Sequence, residues 1–386
     1  MFTTTQLTRF LILLGLIAPW IGRGLPAEAR THEIECGSGG VGIQLAIDRA
    51  RDGDTLMIRG TCREAIRIVN RKLTLSGTPG ATLEAPDYPW TALPYSTLHP
   101  LLLAVSSDIQ IEGLTIDGRA RADDPWASGL TGIHLINSRG TLSKNRVIRV
   151  RHSEHQSDWD VSAIRISARR GLDGGGPIRI EENLIEDFES NGILVHHSDG
   201  APDGLVMQLV ISGNRIRGAG AMIQNQNGIQ IGGIQDPETT RIKARITNNV
   251  FEGLYSYTGV WVSSALYVTP RILEDKILLR AYTLDCSENV IDGANTGMSI
   301  SSRGPVKITG NTIQGGDLGM RIHGPKVRIR GNRLLNLETG VVAVDSDLNP
   351  SRLHHRSESR VRQNLIRIRS SPSTDLPGRG ATGKSL

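Results

Sequence analysis

The sequence predicts an all-β fold, a right-handed parallel β-helix of about ten coils with a short N-terminal capping helix. Three observations carry that expectation. Asn289, Asn311 and Asn332 recur at spacings of 22 and 21 residues, and Gly297, Gly319 and Gly340 each follow eight residues behind one of them. Each Asn has an apolar residue two places on (Ile291, Ile313, Leu334) and another three places before (Cys286, Ile308, Ile329). Each Gly is followed by apolar residues one and three places on, Met298/Ile300, Met320/Ile322 and Val341/Ala343. Period-2 alternation marks short half-buried strands, and so short a repeat holds about three strands and their turns with no room for a helix.

The register extends in both directions. The Asn position recurs at Asn145, Asn183, Asn214, Asn249 and Asn364, with Leu114 in its place earlier. The position two after it reads Ile116, Val147, Ile185, Ile216, Phe251, Ile291, Ile313, Leu334, Ile366. The position three before it reads Ile111, Leu142, Ile180, Ile211, Ile246, Cys286, Ile308, Ile329, Val361. Two wholly apolar rows identify residues stacked inside a solenoid. The Asn itself suits a tight turn because it tolerates left-handed φ, and its amide can bond the next coil's Asn in a ladder. Spacings of 38, 31, 35, 40 and 32 residues elsewhere indicate loop insertions, which in solenoids often carry the binding face.

Residues 1–29 read as a signal peptide. Arg9 supplies the positive flank, Phe10–Ala18 the apolar segment and Ala27-Glu28-Ala29 a cleavage site. Nine apolar residues are too few to span a bilayer, so the expectation is export to the periplasm or the medium without a membrane span. Val41–Ala50 places Ile43, Ala46, Ile47 and Ala50 at helical spacing, which suits a cap over the open end of the solenoid. Asp52-Gly53-Asp54 then turns the chain into the first strand, Thr55–Arg59. Cys36 and Cys62 bracket that turn, and export makes a disulfide between them the expectation. Cys286 falls in an inward row, as an inert buried thiol does. Residues 84–100, rich in Pro and aromatics, interrupt the register as a loop or lateral flap. Residues 30–368 form one β-helix domain, and residues 369–386, without periodicity, a disordered tail.

The formal charge is +5, with seven Lys against thirty-seven Arg, which suits an acidic polysaccharide as partner. No Lys/Arg run or nucleic-acid motif is present, so nucleic acid is not an expected partner. A monomer is expected, with no cofactor and no metal.

The stretch from Ile43 to Cys62 (IQLAIDRARDGDTLMIRGTC), the following KLTLSG at Lys72–Gly77, and the repeats G-N-x-I and N/T-G-I-x-I over residues 33–368 resemble the pectin-lyase-like right-handed β-helix proteins. That family includes polysaccharide lyases, hydrolases, mannuronan C5-epimerases and periplasmic accessory proteins of nitrous oxide reductase. The resemblance implies the fold, and leaves the reaction open. The calcium carboxylates of pectate lyases and the N-T-D, D-D and G-H-G segments of the hydrolases are absent. Arg241-Ile242-Lys243 imitates the hydrolase R-I-K without the Asp-bearing segments that precede it.

The strand that carries the Gly row points its side chains outward two residues on, giving His134, Arg165, Leu194, Gln230, Trp261, Ser299, Arg321 and Val342. Four residues on, the next outward row contains Ser167, His196 and His323, and three before the Gly come Asp160, Glu189 and Asn225. Adjacent coils lie about 4.8 Å apart, so these side chains share one face. They suit a uronic acid polymer. Arg165, or Asn225 with Gln230, would neutralise the sugar carboxylate and acidify the C5 proton; His134 or His196 would take that proton; Trp261 would stack on a ring. Asp160 and Glu189, one coil apart, form a carboxylate pair of the kind glycoside hydrolysis uses. The expected function is therefore action on, or binding of, an acidic polysaccharide, with a uronate lyase or C5-epimerase foremost. The alternatives are a non-catalytic polysaccharide-binding or assembly protein of the envelope and a metal-handling accessory protein. The insertion Arg151–Asp160 holds His152, Glu154, His155, Asp158 and Asp160, yet at no recognised ligand spacing, and reads as a solvated loop.

Overall fold

The computed structural model describes residues 29–37, 42–88, 98–123, 129–153, 161–169, 175–197, 206–218, 226–232, 241–253, 258–262, 282–302, 304–324, 326–344 and 363–368. The expected signal peptide up to residue 28 and the tail from residue 369 lie outside these residues, as does most of the 84–100 loop and the insertion beyond Ser153.

The chain is a right-handed parallel β-helix. Each coil contributes one strand to each of three sheets in a fixed order. Taking the coil at Val306 as an example, Val306–Thr309 belongs to sheet A, Thr312–Gln314 to sheet B and Leu318–His323 to sheet C. Among the described residues sheets A and C hold eleven strands each and sheet B ten, and their pairings are parallel and in register with the coil before. Up to Leu334 and Ile329, the two apolar rows read from the sequence are the inward rows of sheets B and A; Ile366 lies in sheet C and Val361 outside the described residues. Leu83, Ile116, Val147 and Ile185 pair in turn along sheet B, and Ile111, Leu142, Ile180 and Ile211 along sheet A. All join one apolar cluster that runs the length of the solenoid.

Between the A and B strands the repeated geometry of the turn rests on the Asn row. Asn145, Asn183, Asn214, Asn249, Asn289, Asn311 and Asn332 are buried. Each from Asn145 to Asn311 donates its side-chain amide to the Oδ1 of the next, at 2.8–3.1 Å. The same Oδ1 accepts the backbone N–H of the preceding Asn, and at the top of the row Leu114 donates its N–H to Asn145. The ladder is as expected; the backbone detail differs. Left-handed φ falls on the residue before Leu114 and before each Asn, at Gly113, Lys144, Glu182, Gly213, Asn248, Glu288, Gly310 and Gly331. The bend is made there so that the Asn side chain can turn inward, and this is why Gly so often stands at that place.

One register expectation is overturned. The spacing places Asn364 at a further turn, but Gln363–Ile368 is a strand of sheet C that pairs with Thr339–Val344. Six residues suit the long C position rather than the three-residue B strand, and the segment covers what would otherwise be an open sheet edge.

At the N-terminal end, Thr31–Glu35 opens sheet A and Ile43–Arg49 forms a helix whose Ile43 and Ile47 sink into the core. Glu64 accepts the free N–H groups of Ile43 at 2.6 Å and Gln44 at 3.1 Å, satisfying donors that a helix start leaves unpaired. The Gln44 amide exchanges two hydrogen bonds with the backbone of Arg67, so the outermost strand of sheet C, Ile66–Val69, meets a side chain in place of a neighbouring strand. Asp54 accepts N–H groups from Arg51 and Arg30 and faces His32. The Arg51 N–H chiefly, with Arg30 and His32, holds its carboxyl down to about 2. Cys36 and Cys62 are joined as expected, with their Cα atoms 4.9 Å apart. Cys286 is buried, and desolvation pushes its thiol up to about 12, so it is inert at neutral pH.

Candidate functional site

Sheet C carries the residues singled out from the sequence. Its Gly row faces inward at tight quarters. A Cβ on Gly228 would lie 2.4 Å from Phe251 Cδ1, and one on Gly132 would lie 2.5 Å from the carbonyl oxygen of Ala163. His134, two residues beyond Gly132, belongs to the opposite face, so the strand kinks at the Gly, as strand glycines commonly allow.

The outward ladder is in the register that the sequence implied. His134 pairs with Arg165, Arg165 with Leu194, Leu194 with Gln230, Gln230 with Trp261, Trp261 with Ser299 and Ser299 with Arg321. In the next row Ser167 pairs with His196. Glu189 precedes the strand Asn191–His197 at its sheet B corner. Asp160 and Asn225 lie outside the described residues, and of Trp261 only the backbone is described.

Burial divides the ladder in two. His134 is 4% exposed, Arg165 9% and Leu194 5%, whereas Ser299 is half-buried and Arg321 is exposed. The covered half comprises the coils with long insertions, and the open half the bare 21–22-residue coils. His196 and Gln230 are half-buried and form the accessible margin of the covered half. On the other side of His134, the outward residues Leu103, Val105 and Ile136 form a buried apolar cluster separate from the core.

Within the covered half, His134 Nε2 lies within hydrogen-bond distance of Ser167 Oγ. Burial, followed by the charges of Arg165, Arg169 and His196, pushes the His134 imidazolium well below its ordinary range, so the ring is neutral at neutral pH. Linkage gives the sign. The unfolded imidazole takes up a proton near 6.5 that the buried one refuses, so its contribution to stability is complete above that pH and declines below it. Acidifying from about pH 7 to about pH 5 should lower the melting temperature of the wild type more than that of His134→Asn. Equal slopes in the two proteins would show that His134 is not held neutral.

At the B–C corner, the backbone N–H of His152 donates to Glu189 Oε2 at 3.1 Å and its Nδ1 lies 3.6 Å from the same oxygen, all of it buried. Gln226 donates to the carbonyl of Phe188, and Asn227 donates to both Asn191 Oδ1 and Gln230 Oε1. Sequence reading missed Ser162, Asn191 and Asn227, a second buried outward row in mutual register. The signal was present, since a polar residue precedes the Gly position in those coils. Among the described residues no group of three or more His, Cys, Asp or Glu could hold a metal ion.

No protein-family model matches the sequence, and no curated protein matches it. Among solved structures the chain is similar to the polygalacturonase from Erwinia carotovora ssp. carotovora, with a TM-score of 0.51 and 14% identity, covering 89% of this chain and 93% of that one. It is a likeness of fold. The family 28 exopolygalacturonase of Yersinia enterocolitica aligns at a TM-score of 0.37 and 12% identity, over 89% of this chain and 79% of that one. Among the described residues no helix is long and apolar enough to cross a membrane.

Proposed function

We propose that this is an exported protein that engages an acidic polysaccharide on the outer face of sheet C and acts on it as a uronate lyase or C5-epimerase. The observation that carries the reading is Arg165, a cation 9% exposed, in register with His134 and one row from the half-buried His196. A guanidinium so sheltered from water binds a carboxylate more strongly than one on an open surface. The Cys36–Cys62 disulfide supports export, and the fold shared with a polygalacturonase supports a polysaccharide substrate.

In this reading Arg165 neutralises the uronate carboxylate, aided by Gln230 and Asn225, and so acidifies the C5 proton. His196, on the accessible margin, takes that proton. His134, buried and neutral, is a positioning residue beneath it through Ser167. In a lyase the electron pair left at C5 forms the C4–C5 double bond as the linkage oxygen departs and is protonated; in an epimerase a proton returns to C5 from the opposite face. Trp261 stacks on a neighbouring sugar. Asp160 and Glu189 would serve hydrolysis, but Glu189 is engaged with His152, which favours proton abstraction over a two-carboxylate mechanism. A second reading, a non-catalytic binding or assembly protein of the envelope, is favoured by the burial of His134 itself.

The test is binding and turnover of alginate and polygalacturonate by wild type, Arg165→Ala and Arg321→Ala, with folding checked by circular dichroism. Losing a charge-assisted bond from Arg165 should weaken affinity by about ten- to hundredfold, or about 1.5–3 kcal/mol, while Arg321→Ala changes little. Equal effects of the two substitutions would place the substrate elsewhere. Binding without turnover would select the non-catalytic reading.

A further inference from the structure

We propose that the C-terminal half of sheet A is a second, separate binding groove for an extended acidic polysaccharide. The outer face of this sheet is concave there, enclosing about 810 Å³ over six consecutive strands. At about 4.8 Å per strand the groove runs about 24 Å along the solenoid axis. It is lined by six cations, Arg179, Lys243, Arg245, Lys307, Lys326 and Arg328, against a single acid, Asp285.

Two features separate this surface from the general Arg-richness of the chain. Several outward cations of sheet B, by contrast, are paired across coils: Arg63 meets Glu84, Arg146 meets Glu186, Arg149 meets Asp117 and Arg215 meets Glu252. In the groove Arg179 is held by Glu181 and Lys307 by Asp285, but Lys243, Arg245, Lys326 and Arg328 are exposed and make no ion pair among the described residues. Four unneutralised cations on one concave strip repel one another, and an anionic ligand relieves that repulsion. Their placement is also linear. Arg245, Asp285, Lys307 and Arg328 occupy one register row, and Lys243 lies two residues along the strand from Arg245, as Lys326 does from Arg328.

Between them the outward, half-buried Val210 gives the floor an apolar patch, flanked by Pro177 and Pro305. Such a floor suits the aliphatic faces of sugar rings, while the cations meet carboxylates carried along the chain. No aromatic residue lines the groove, so it lacks the stacking platform on which single-stranded nucleic acids are held. The inference rests on the charge and shape of this face, independently of any chemistry on sheet C.

The experiment measures binding of polygalacturonate, a single-stranded oligonucleotide and neutral dextran by wild type, Lys243→Glu/Arg245→Glu and Lys326→Glu/Arg328→Glu, at two salt concentrations. Each double substitution is also made on the Arg165→Ala background. All four positions are exposed, so the variants should fold, as circular dichroism would verify. Each pair should weaken polygalacturonate binding at least tenfold and flatten its salt dependence, on both backgrounds, with dextran unbound throughout. Unchanged affinity in both double variants would overturn the groove. Tighter binding of the oligonucleotide than of polygalacturonate, lost in the same variants, would overturn the polysaccharide assignment. Loss from these pairs but none from Arg165→Ala would uphold this inference while removing the sheet C reading.

Discussion

Replacing Asn249 by alanine is expected to lower stability by about 3–5 kcal/mol, the sum of several buried polar groups left short of a partner at about 1–3 kcal/mol each. Asn249 is fully buried at the middle of the turn ladder. Its Oδ1 accepts both the backbone N–H and the side-chain amide of Asn214, at 3.0 and 2.9 Å. Its own amide donates to the carbonyls of Ile211 and Thr247 and to Asn289 Oδ1. Alanine removes every one of these bonds and puts no water in their place. Asn249→Asp should be no better, since a carboxylate cannot donate to Ile211 and would bury a charge. Urea unfolding read by circular dichroism decides the matter, and a loss below about 1 kcal/mol would mean that backbone pairing alone sets the turn. Leu114 shows why the ladder can end where it does. That position needs only its N–H, which it gives to Asn145, so an apolar side chain suffices.

The ladder also shows which features of the fold are written in a sequence of this type. A coil of 21–22 residues admits no slack, so each inward residue must sit over its counterpart, and the apolar rows ending at Leu334 and Ile329 could be read by counting. The same counting put His134, Arg165, Gln230 and Trp261 in one line, because strand pairing preserves register whatever the side chains do. What counting cannot supply is depth. Alternation assigns His134 to the outer face, but its burial depends on what lies over that face, and no periodicity encodes a covering segment. The Asn191–Asn227 row is hidden for a related reason: counted back from the outward His134 row, regular alternation turns the residue before the Gly inward, whereas the kink turns it outward. Asn364 is deceptive because Asn, though a turn former, is tolerated in a strand, and the longer insertion before it breaks the count. The basic groove on sheet A was invisible because its cations, from Arg179 to Arg328, are scattered over residues 179–328 and meet only in the stack.

Removing the disulfide with Cys36→Ser/Cys62→Ser is expected to destabilise the N-terminal coil by about 3.5 kcal/mol, the chain-entropy value for a closed loop of this size. The bond spans a sequence separation of 26 and ties the segment after Thr31–Glu35 to the first strand of sheet B, Thr61–Arg63. The pairing of Thr31–Glu35 with Thr55–Arg59 and the Asp54 hydrogen bonds also hold this end. The helix Ile43–Arg49 has two buried side chains, is closed at its start by Glu64 and leans on Arg67 through Gln44. In a solenoid each coil contacts only its neighbours, so the loss should stay local. Hydrogen exchange should therefore quicken over residues 31–69 in the double serine variant, with protection of the strands from Val306 to Val344 unchanged. Glu64→Ala in the oxidised protein should produce a smaller version of the same local effect, about 1 kcal/mol, since it strips the helix start of its carboxylate. A uniform loss of protection along the whole chain would show that the end coil nucleates the stack. In that case the disulfide would be a determinant of folding for every coil above it, and unfolding of the wild type under reducing conditions would be a single cooperative transition.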